Sequence, residues 1–361
     1  MSSRSKKKRE RQRAEGRNVM PSVPPGIRVV PSLLGAMVDG NEYGSIVSLA
    51  PAEQNLMLEL QQALREIETI RNRPCICYAA NVVKEVAETS ISAADHLPFS
   101  EMVGRVDPNA KEVDILLVTP GGSAEQVNLF VEALRPRFDV VDFLLPYKAM
   151  SAGTLWSLSG DHIWMDSRAF LGPIDPQVPS KDGTWVPAQA LLSLLDTIQK
   201  VGQAALASGQ QPPWSHIQLL SHMDQKQLGA ALSASKYVIA MATQYLERYK
   251  FRSWTAHRTT NPGAPVTPQD RSKRANEVAS ALCAHDRWQA HGHAISRDVL
   301  WNELRILIDR PESVPGLQRA MRRAWALLYY TFDKGTATKL IFSGSYSYAR
   351  QLATLPVARR P

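Results

Sequence analysis

A serine set among small residues, Ala149-Met150-Ser151-Ala152-Gly153-Thr154, follows the glycine pair of Thr119-Pro120-Gly121-Gly122 by about 30 residues. A nucleophilic serine needs an exposed Oγ, room for a substrate carbonyl, and a proton acceptor. The oxyanion it creates needs backbone N–H donors fixed where the charge develops. Glycines between a strand and a helix suit that task, because they adopt positive φ and their N–H groups lie at the positive end of the helix dipole. Each segment alone has a plainer reading. A Pro-Gly-Gly is usually a turn, and a serine at a helix start is usually a cap. Both segments, separated by one further strand, together suggest a nucleophile and its oxyanion loop.

The surrounding sequence predicts the elements that would hold them. Residues 113–118, VDILLV, form a short continuous apolar run, as in a strand covered on both faces. A helix is expected over 123–135, a strand over 139–145, a turn entering a helix over 148–160, and a third strand over 162–166. CICYAA (75–80) reads as a further buried strand. It follows a helix over 53–71 whose apolar residues Leu56, Leu60, Leu64 and Ile67 recur at helical spacing. Strand and helix in alternation predict an α/β fold with a mainly parallel sheet. Residues 27–52 read as an extended segment leading into that first helix. Beyond residue 187 the chain is mainly helical, with helices expected at 187–206, 214–221, 224–249, 271–284 and 315–331. A polar, proline-rich break lies at 259–270. Three regions result: a basic tail (1–26) that reads as disordered, an α/β domain with helical extension (27–249), and a mainly helical C-terminal region (250–361) that completes or caps it. The final LPVARRP reads as loose.

TPGG, AMSAGT and MDSRAFLGPIDPQ (165–177), in this order and spacing, resemble the serine dehydrogenase proteinase family of Clp/crotonase-fold peptidases, related to Clp protease subunits and signal peptide peptidase A. The resemblance is close over residues 112–178. It returns at Arg287-Trp288-Gln289-Ala290-His291-Gly292, which is similar to a Trp-x-x-His segment near the end of those proteins. It implies a Clp/crotonase-like spiral of ββα units, Ser151 as nucleophile, and oxyanion donors from the backbone of Gly121 or Gly122 and of Ala152. It also implies a homo-oligomer.

The base is less legible. Clp subunits carry a histidine about 25 residues after the nucleophile; that spacing lands on Gly172 here. A lysine base, as in the signal peptide peptidase branch, acts only when burial lowers its pKa. Lys200 and Lys236 are the candidates on the expected helices, against the ordinary reading of a solvated helix-face lysine. Lys148 and Lys181 are weaker. Asp175 either orients a base or is structural. The expected activity is therefore a serine peptidase using a Ser–Lys dyad; the alternative is a catalytically inactive Clp-fold scaffold that binds peptides or partners. Acyl-CoA chemistry, the crotonase use of the fold, fits less well, because crotonase hydratases rely on carboxylates.

Composition narrows the rest. At 44% hydrophobic residues the chain has enough apolar side chains for a large core. Its net charge is +8, but residues 1–18 hold eight Lys/Arg and two Glu, so the remainder carries only +2 (8 − 6). Such a tail offers a surface for a polyanion or a protein partner. No apolar stretch follows the basic start as a signal peptide requires, and no run is long enough to span a bilayer. Cys75 and Cys77 point to one face of a strand and are poorly placed to pair, which favours a reducing, cytoplasmic setting. Cys283, His285, His291 and His293 match no common zinc spacing, so no metal is expected. Neither GxxxxGK[ST] nor GxGxxG occurs, so no nucleotide hydrolysis and no cofactor are expected. Trp214, Trp254 and Trp288 are read as helix-packing residues.

Overall fold

The structure, a computed structural model, describes residues 33–351. The basic tail and the final LPVARRP lie outside the described residues. Two short helices open the described chain, α1 (Leu33–Ala36) and α2 (Glu42–Leu49), where an extended segment was expected. Their Leu33, Leu34 and Ile46 are buried, so tertiary burial decides the conformation of a segment with weak local periodicity. α3 (Glu53–Arg71) then leads into β1 (Cys75–Ala80), both at the expected positions.

The central unit follows as α4 (His96–Gly104), β2 (Glu112–Val118), α5 (Ala124–Leu134), β3 (Val140–Leu145), β4 (Lys148–Ala149), α6 (Ala152–Ser157), β5 (His162–Met165) and β6 (Phe170–Leu171). A small hairpin, β7 (Gln177–Pro179) with β8 (Trp185–Pro187), introduces α7 (Ala188–Ala207), α8 (Trp214–His222) and α9 (Gln225–Tyr245). α10 (Pro268–Cys283), α11 (His285–Trp288), β9 (Ile295–Ser296), α12 (Arg297–Asn302) and α13 (Leu317–Lys334) come next. The described chain ends in β10 (Ala337–Ser343) and β11 (Ser347–Gln351).

Six strands form the main sheet in the order β11-β10-β1-β2-β3-β5. β1, β2, β3 and β5 are parallel; β10 and β11 add an antiparallel edge beside β1. The C-terminal region, read from sequence as mainly helical, thus also completes the sheet. Alternate residues of each strand supply the two layers. Ile76 and Tyr78 of β1 join Phe99, Phe130, Phe143 and Trp156 on one face. Cys75, Cys77 and Ala79 face Leu60, Leu64, Met321 and Leu328 of α3 and α13 on the other. Because both faces are covered, β1 is buried along its whole length and shows no polar alternation. In the first layer Trp156 lies 4.7 Å from Phe130 and 5.4 Å from Tyr78, ring centre to ring centre, which fixes α6 against the sheet.

Candidate active site

The glycine loop leaves β2 at Val118 and enters α5 through Ser123, whose Oγ accepts the Gln126 N–H at 3.0 Å. Gly121 and Gly122 have φ of 109° and 143°, a region side chains rarely adopt. Both are also tightly enclosed. A Cβ on Gly121 would lie 2.8 Å from Met150 O and 2.9 Å from Ser151 Cβ, and one on Gly122 would run into the backbone of Ile91. Ile91 clamps the loop from the far side: its N–H donates to Gly121 O at 2.7 Å, and its carbonyl accepts from Ser123 N at 2.9 Å. The Gly121 N–H is itself used, donating to Thr119 Oγ1 at 3.1 Å. Among the described residues the N–H groups of Gly122 and Ala152 have no such protein acceptor. Gly122 and Ala152 are therefore the available donors, and Gly121 serves close approach.

Ser151 stands between β4 and α6 with φ 50° and ψ −114°, a strained setting for a residue with a Cβ. Its Oγ makes no capping hydrogen bond to α6, so the ordinary helix-cap reading of this serine fails. The turn is pinned from behind. Thr154 Oγ1 donates to Ala149 O and accepts from Gly172 N, each at 2.9 Å. Gly172, where the Clp-subunit spacing lands, packs behind Met150, and a Cβ there would be 3.4 Å from Ser151 N. That position backs the Ser151 turn and does not line the adjoining cavity.

Ser151, Gly121, Gly122 and Ala152 line one cavity of about 820 Å³. His291 lines it too. Its Nδ1 lies 2.8 Å from Asp175 Oδ1, and Asp175 is buried at 1% exposure. His285 Nδ1 approaches the other carboxylate oxygen at 3.7 Å. Asp175 follows Ile174, whose N–H is tied to Leu282 O at 3.0 Å, so the carboxylate is anchored to the end of α10. His291 follows α11, where Trp288 is buried and donates from Nε1 to Ala281 O at 2.8 Å. The Trp-x-x-His segment thus uses its tryptophan to seat the loop and its histidine to reach the cavity. Ile174, Pro176, Trp185, Tyr237 and Val238 give the same cavity apolar walls.

The lysines are elsewhere. Lys200 is 73% exposed in its side chain and pairs with Asp196 one helical turn away, which raises its pKa; neither feature suits a base. Lys236 is exposed on α9 and does not line the cavity, although its neighbour Tyr237 does. Neither reaches the cavity, because α7 and α9 turn those faces to solvent. Lys181 is exposed beside Asp224. Lys148 is half-buried, which lowers its pKa, but it too lies outside the cavity lining. Sequence reasoning quoted His291 and Asp175 without joining them. The available signal was the Trp-x-x-His segment; 116 residues of separation hid the contact.

Of the tryptophans, Trp288 packs as expected, and Trp254 is half-buried. Trp214 does not pack: it is 77% exposed on α8, a helix that buries none of its residues.

Residues 49–202 match the ClpP-like SDH-type serine proteinase family, so the resemblance read from the sequence holds over that segment. The ClpP-like α/β fold with a mostly parallel sheet is likewise the fold observed. Two uncharacterised proteins of Methanocaldococcus jannaschii are 39% and 36% identical over 74 residues, 20% of this chain and 26% and 25% of theirs. The chain spans about a quarter of the length of the curated relatives it matches. Among solved structures, a mutant of 1510-N, a membrane-bound stomatin-specific protease, is similar with a TM-score of 0.36 and 14% identity, covering 61% of this chain and 74% of its own. Another 1510-N mutant, in complex with a substrate peptide, has a TM-score of 0.26 and 24% identity over 33% and 57%. A monofunctional enoyl CoA isomerase from M. smegmatis has a TM-score of 0.22 and 14% identity over 59% and 91%. No described helix is long and apolar enough to cross a membrane.

Proposed function

We propose that the chain is a serine peptidase in which Ser151 is the nucleophile and His291, oriented by Asp175, is the general base. The observation that carries this reading is the meeting of Ser151, the Gly121-Gly122 loop and His291 in one cavity, with His291 hydrogen-bonded to a buried carboxylate. The serine proteinase family match over residues 49–202 supports the reaction class. With Nδ1–H donated to Asp175, Nε2 is left to take the Ser151 proton as Oγ attacks the scissile carbonyl. The oxyanion receives the N–H groups of Gly122 and Ala152. His291 then passes the proton to the leaving amine, an acyl-Ser151 remains, and water activated by the same imidazole releases it. Asp175 holds the tautomer and stabilises the imidazolium. Ser151 Oγ has no protein hydrogen-bond partner among the described residues; such contacts commonly tighten only with substrate bound.

The inert-scaffold reading was motivated by a missing base, and His291 fills that role here in place of a lysine. The apolar wall formed by Ile174, Trp185 and Val238 suits peptide side chains better than a wholly polar ligand. A homo-oligomer is part of the proposal: Trp214, Ile217, Leu219 and Leu220 of α8 are all exposed, with Leu206 of α7 nearby in sequence. The basic tail remains a proposed site for a polyanion or protein partner, and the cytoplasm the proposed compartment. Hydrolysis of a mixed peptide library, followed by mass spectrometry, tests the activity. Cleavage by the wild-type chain and none by Ser151→Ala is expected; equal cleavage by both would exclude Ser151 as the nucleophile.

A further inference from the structure

A second cavity, of about 580 Å³, lies away from Ser151. Asp161 and His162, on its wall, precede and begin β5, whereas Gly121 and Ser151 follow the ends of β2 and β3. These strands are parallel, so the two cavities open at opposite ends of the sheet.

The charges on its wall do not balance. Its carboxylates are already engaged. Asp161 pairs with Arg135 and Arg252, each at 2.7 Å, Asp270 caps α10 through Thr267, and Glu277 pairs with Arg274 at 2.9 Å. Arg258, Lys273 and Arg305 line the same space, and no carboxylate among the described residues lies within 4.0 Å of them. Lys250 is the deepest cation. It is only 7% exposed, at the end of a π-helical turn (Leu246–Lys250), an irregularity that often accompanies function. A buried ammonium needs several close acceptors. Lys250 Nζ has one long hydrogen bond, to Asp161 O at 3.4 Å, and Asp309 at 3.7 Å. An anion in the cavity would complete that shell and meet the three unpaired cations.

The wall also offers a flat apolar surface. Trp301 is half-buried there and has no aromatic ring packed against it among the described residues, and Trp254 lines another part of the cavity. A half-buried indole beside cations suits a ligand that joins a planar ring to negative charge. The volume is that of an ordinary small-molecule site.

We propose that this cavity binds a phosphorylated planar heterocycle of the nucleoside diphosphate class, its phosphates among Lys250, Lys273, Arg258 and Arg305 and its ring on Trp301. The site is independent of the peptidase reading, because it shares no lining residue with the Ser151 cavity.

The test is calorimetric titration of the full chain with ADP, beside adenosine and inorganic pyrophosphate, with tryptophan fluorescence as a second signal. One saturable ADP site is expected, with adenosine and pyrophosphate each bound at least about tenfold more weakly. Lys273→Glu/Arg305→Glu, both at exposed positions, should weaken ADP about tenfold or more while leaving the thermal unfolding curve in place. Trp301→Leu should weaken ADP and reduce its fluorescence response, leaving at most the part due to Trp254. Failure of ADP to saturate at millimolar concentration would overturn the proposal, as would unchanged affinity in the charge-reversed variant. Pyrophosphate or adenosine binding as tightly as ADP would do the same, since either would remove the need for ring and charge together.

Discussion

His291 Nδ1 stands 2.8 Å from Asp175 Oδ1 across 116 residues of sequence, and the imidazole that this contact orients lines the same cavity as Ser151. In serine hydrolases a carboxylate in this position fixes the tautomer and stabilises the imidazolium. Ser151→Ala, His291→Ala and Asp175→Asn should each lower kcat/KM for peptide hydrolysis by about 10³–10⁴. The double variant His291→Ala/Asp175→Asn should be no worse than His291→Ala alone, because the two residues act as one unit. Lys200→Ala and Lys236→Ala should leave kcat/KM near the wild-type value. Steady-state kinetics on the five single variants and the double variant decides between the histidine and either lysine.

Gly122 is held where a side chain has no room. Its φ of 143° and the adjacent Ile91 backbone both oppose a Cβ, and backbone cannot swing aside as a flexible side chain can. Gly122→Ala should destabilise the fold by about 1–3 kcal/mol. Displacement of its N–H should also lower kcat about 10²–10³-fold, the usual effect of losing one oxyanion donor. Urea unfolding and kcat measured on the same preparation separate the two effects.

Lys339 and Asp95 form a fully buried ion pair, 0% exposed on both sides, at 2.7 Å. Lys339 Nζ also donates to Ser90 O at 2.8 Å, and Tyr78 OH donates to Asp95 at 2.9 Å. This network sits directly behind Ile91, the clamp on the glycine loop. Removing Lys339 leaves the buried Asp95 carboxylate, among the described residues, with only the longer Arg350 ion pair at 3.7 Å, so Lys339→Met should cost about 3–5 kcal/mol in urea unfolding. Lys339→Met/Asp95→Asn should recover part of that loss, since no net charge then remains buried.

His162 and Asp309 link the start of β5 to the loop before α13, with Nδ1 3.1 Å from Oδ2. The hydrogen bond that His162 donates to Asp309 raises the imidazole pKa above its ordinary value, assisted by Asp142 and opposed by burial and by Lys250. A raised folded-state pKa gives stability that is fully present below the unfolded value of 6.5 and lost as pH rises through the folded value. The wild-type chain should therefore lose a stability increment as pH rises from about 6 to 8, and His162→Gln should lack that increment. Urea midpoints at both pH values check it; equal slopes in the two proteins would remove His162 as the cause.

Much of the α/β core was legible because its periodicity is local. β1 falls at CICYAA and α3 at 53–71 as expected, since a continuous apolar run and a single apolar stripe each have one compact solution. The Ser151 turn and the glycine loop were legible as a pair: each alone reads as an ordinary turn or cap, and their recurrence after successive strands is what singles them out. The base was not. His291 reaches the cavity through a loop seated by Trp288, and Asp175 through a backbone bond to Leu282, and neither contact leaves a periodic trace. The strand β10 escaped for a related reason: its pairing with β1 is made across more than 250 residues, a relationship that sequence pattern does not carry, and β11 joins the sheet only through β10. Lys200 and Lys236 were reached by elimination, and their exposure follows from helix faces that the 3.6-residue period leaves in solvent.

The most direct test of Ser151 as an activated nucleophile is intact-mass analysis after treatment of the folded chain with a fluorophosphonate, with Ser151→Ala and His291→Ala treated in parallel. The account predicts one adduct on the wild-type chain, none on Ser151→Ala, and labelling slowed by about 10²–10⁴ on His291→Ala. An unlabelled wild-type chain, or an adduct that forms equally fast without His291, would contradict it.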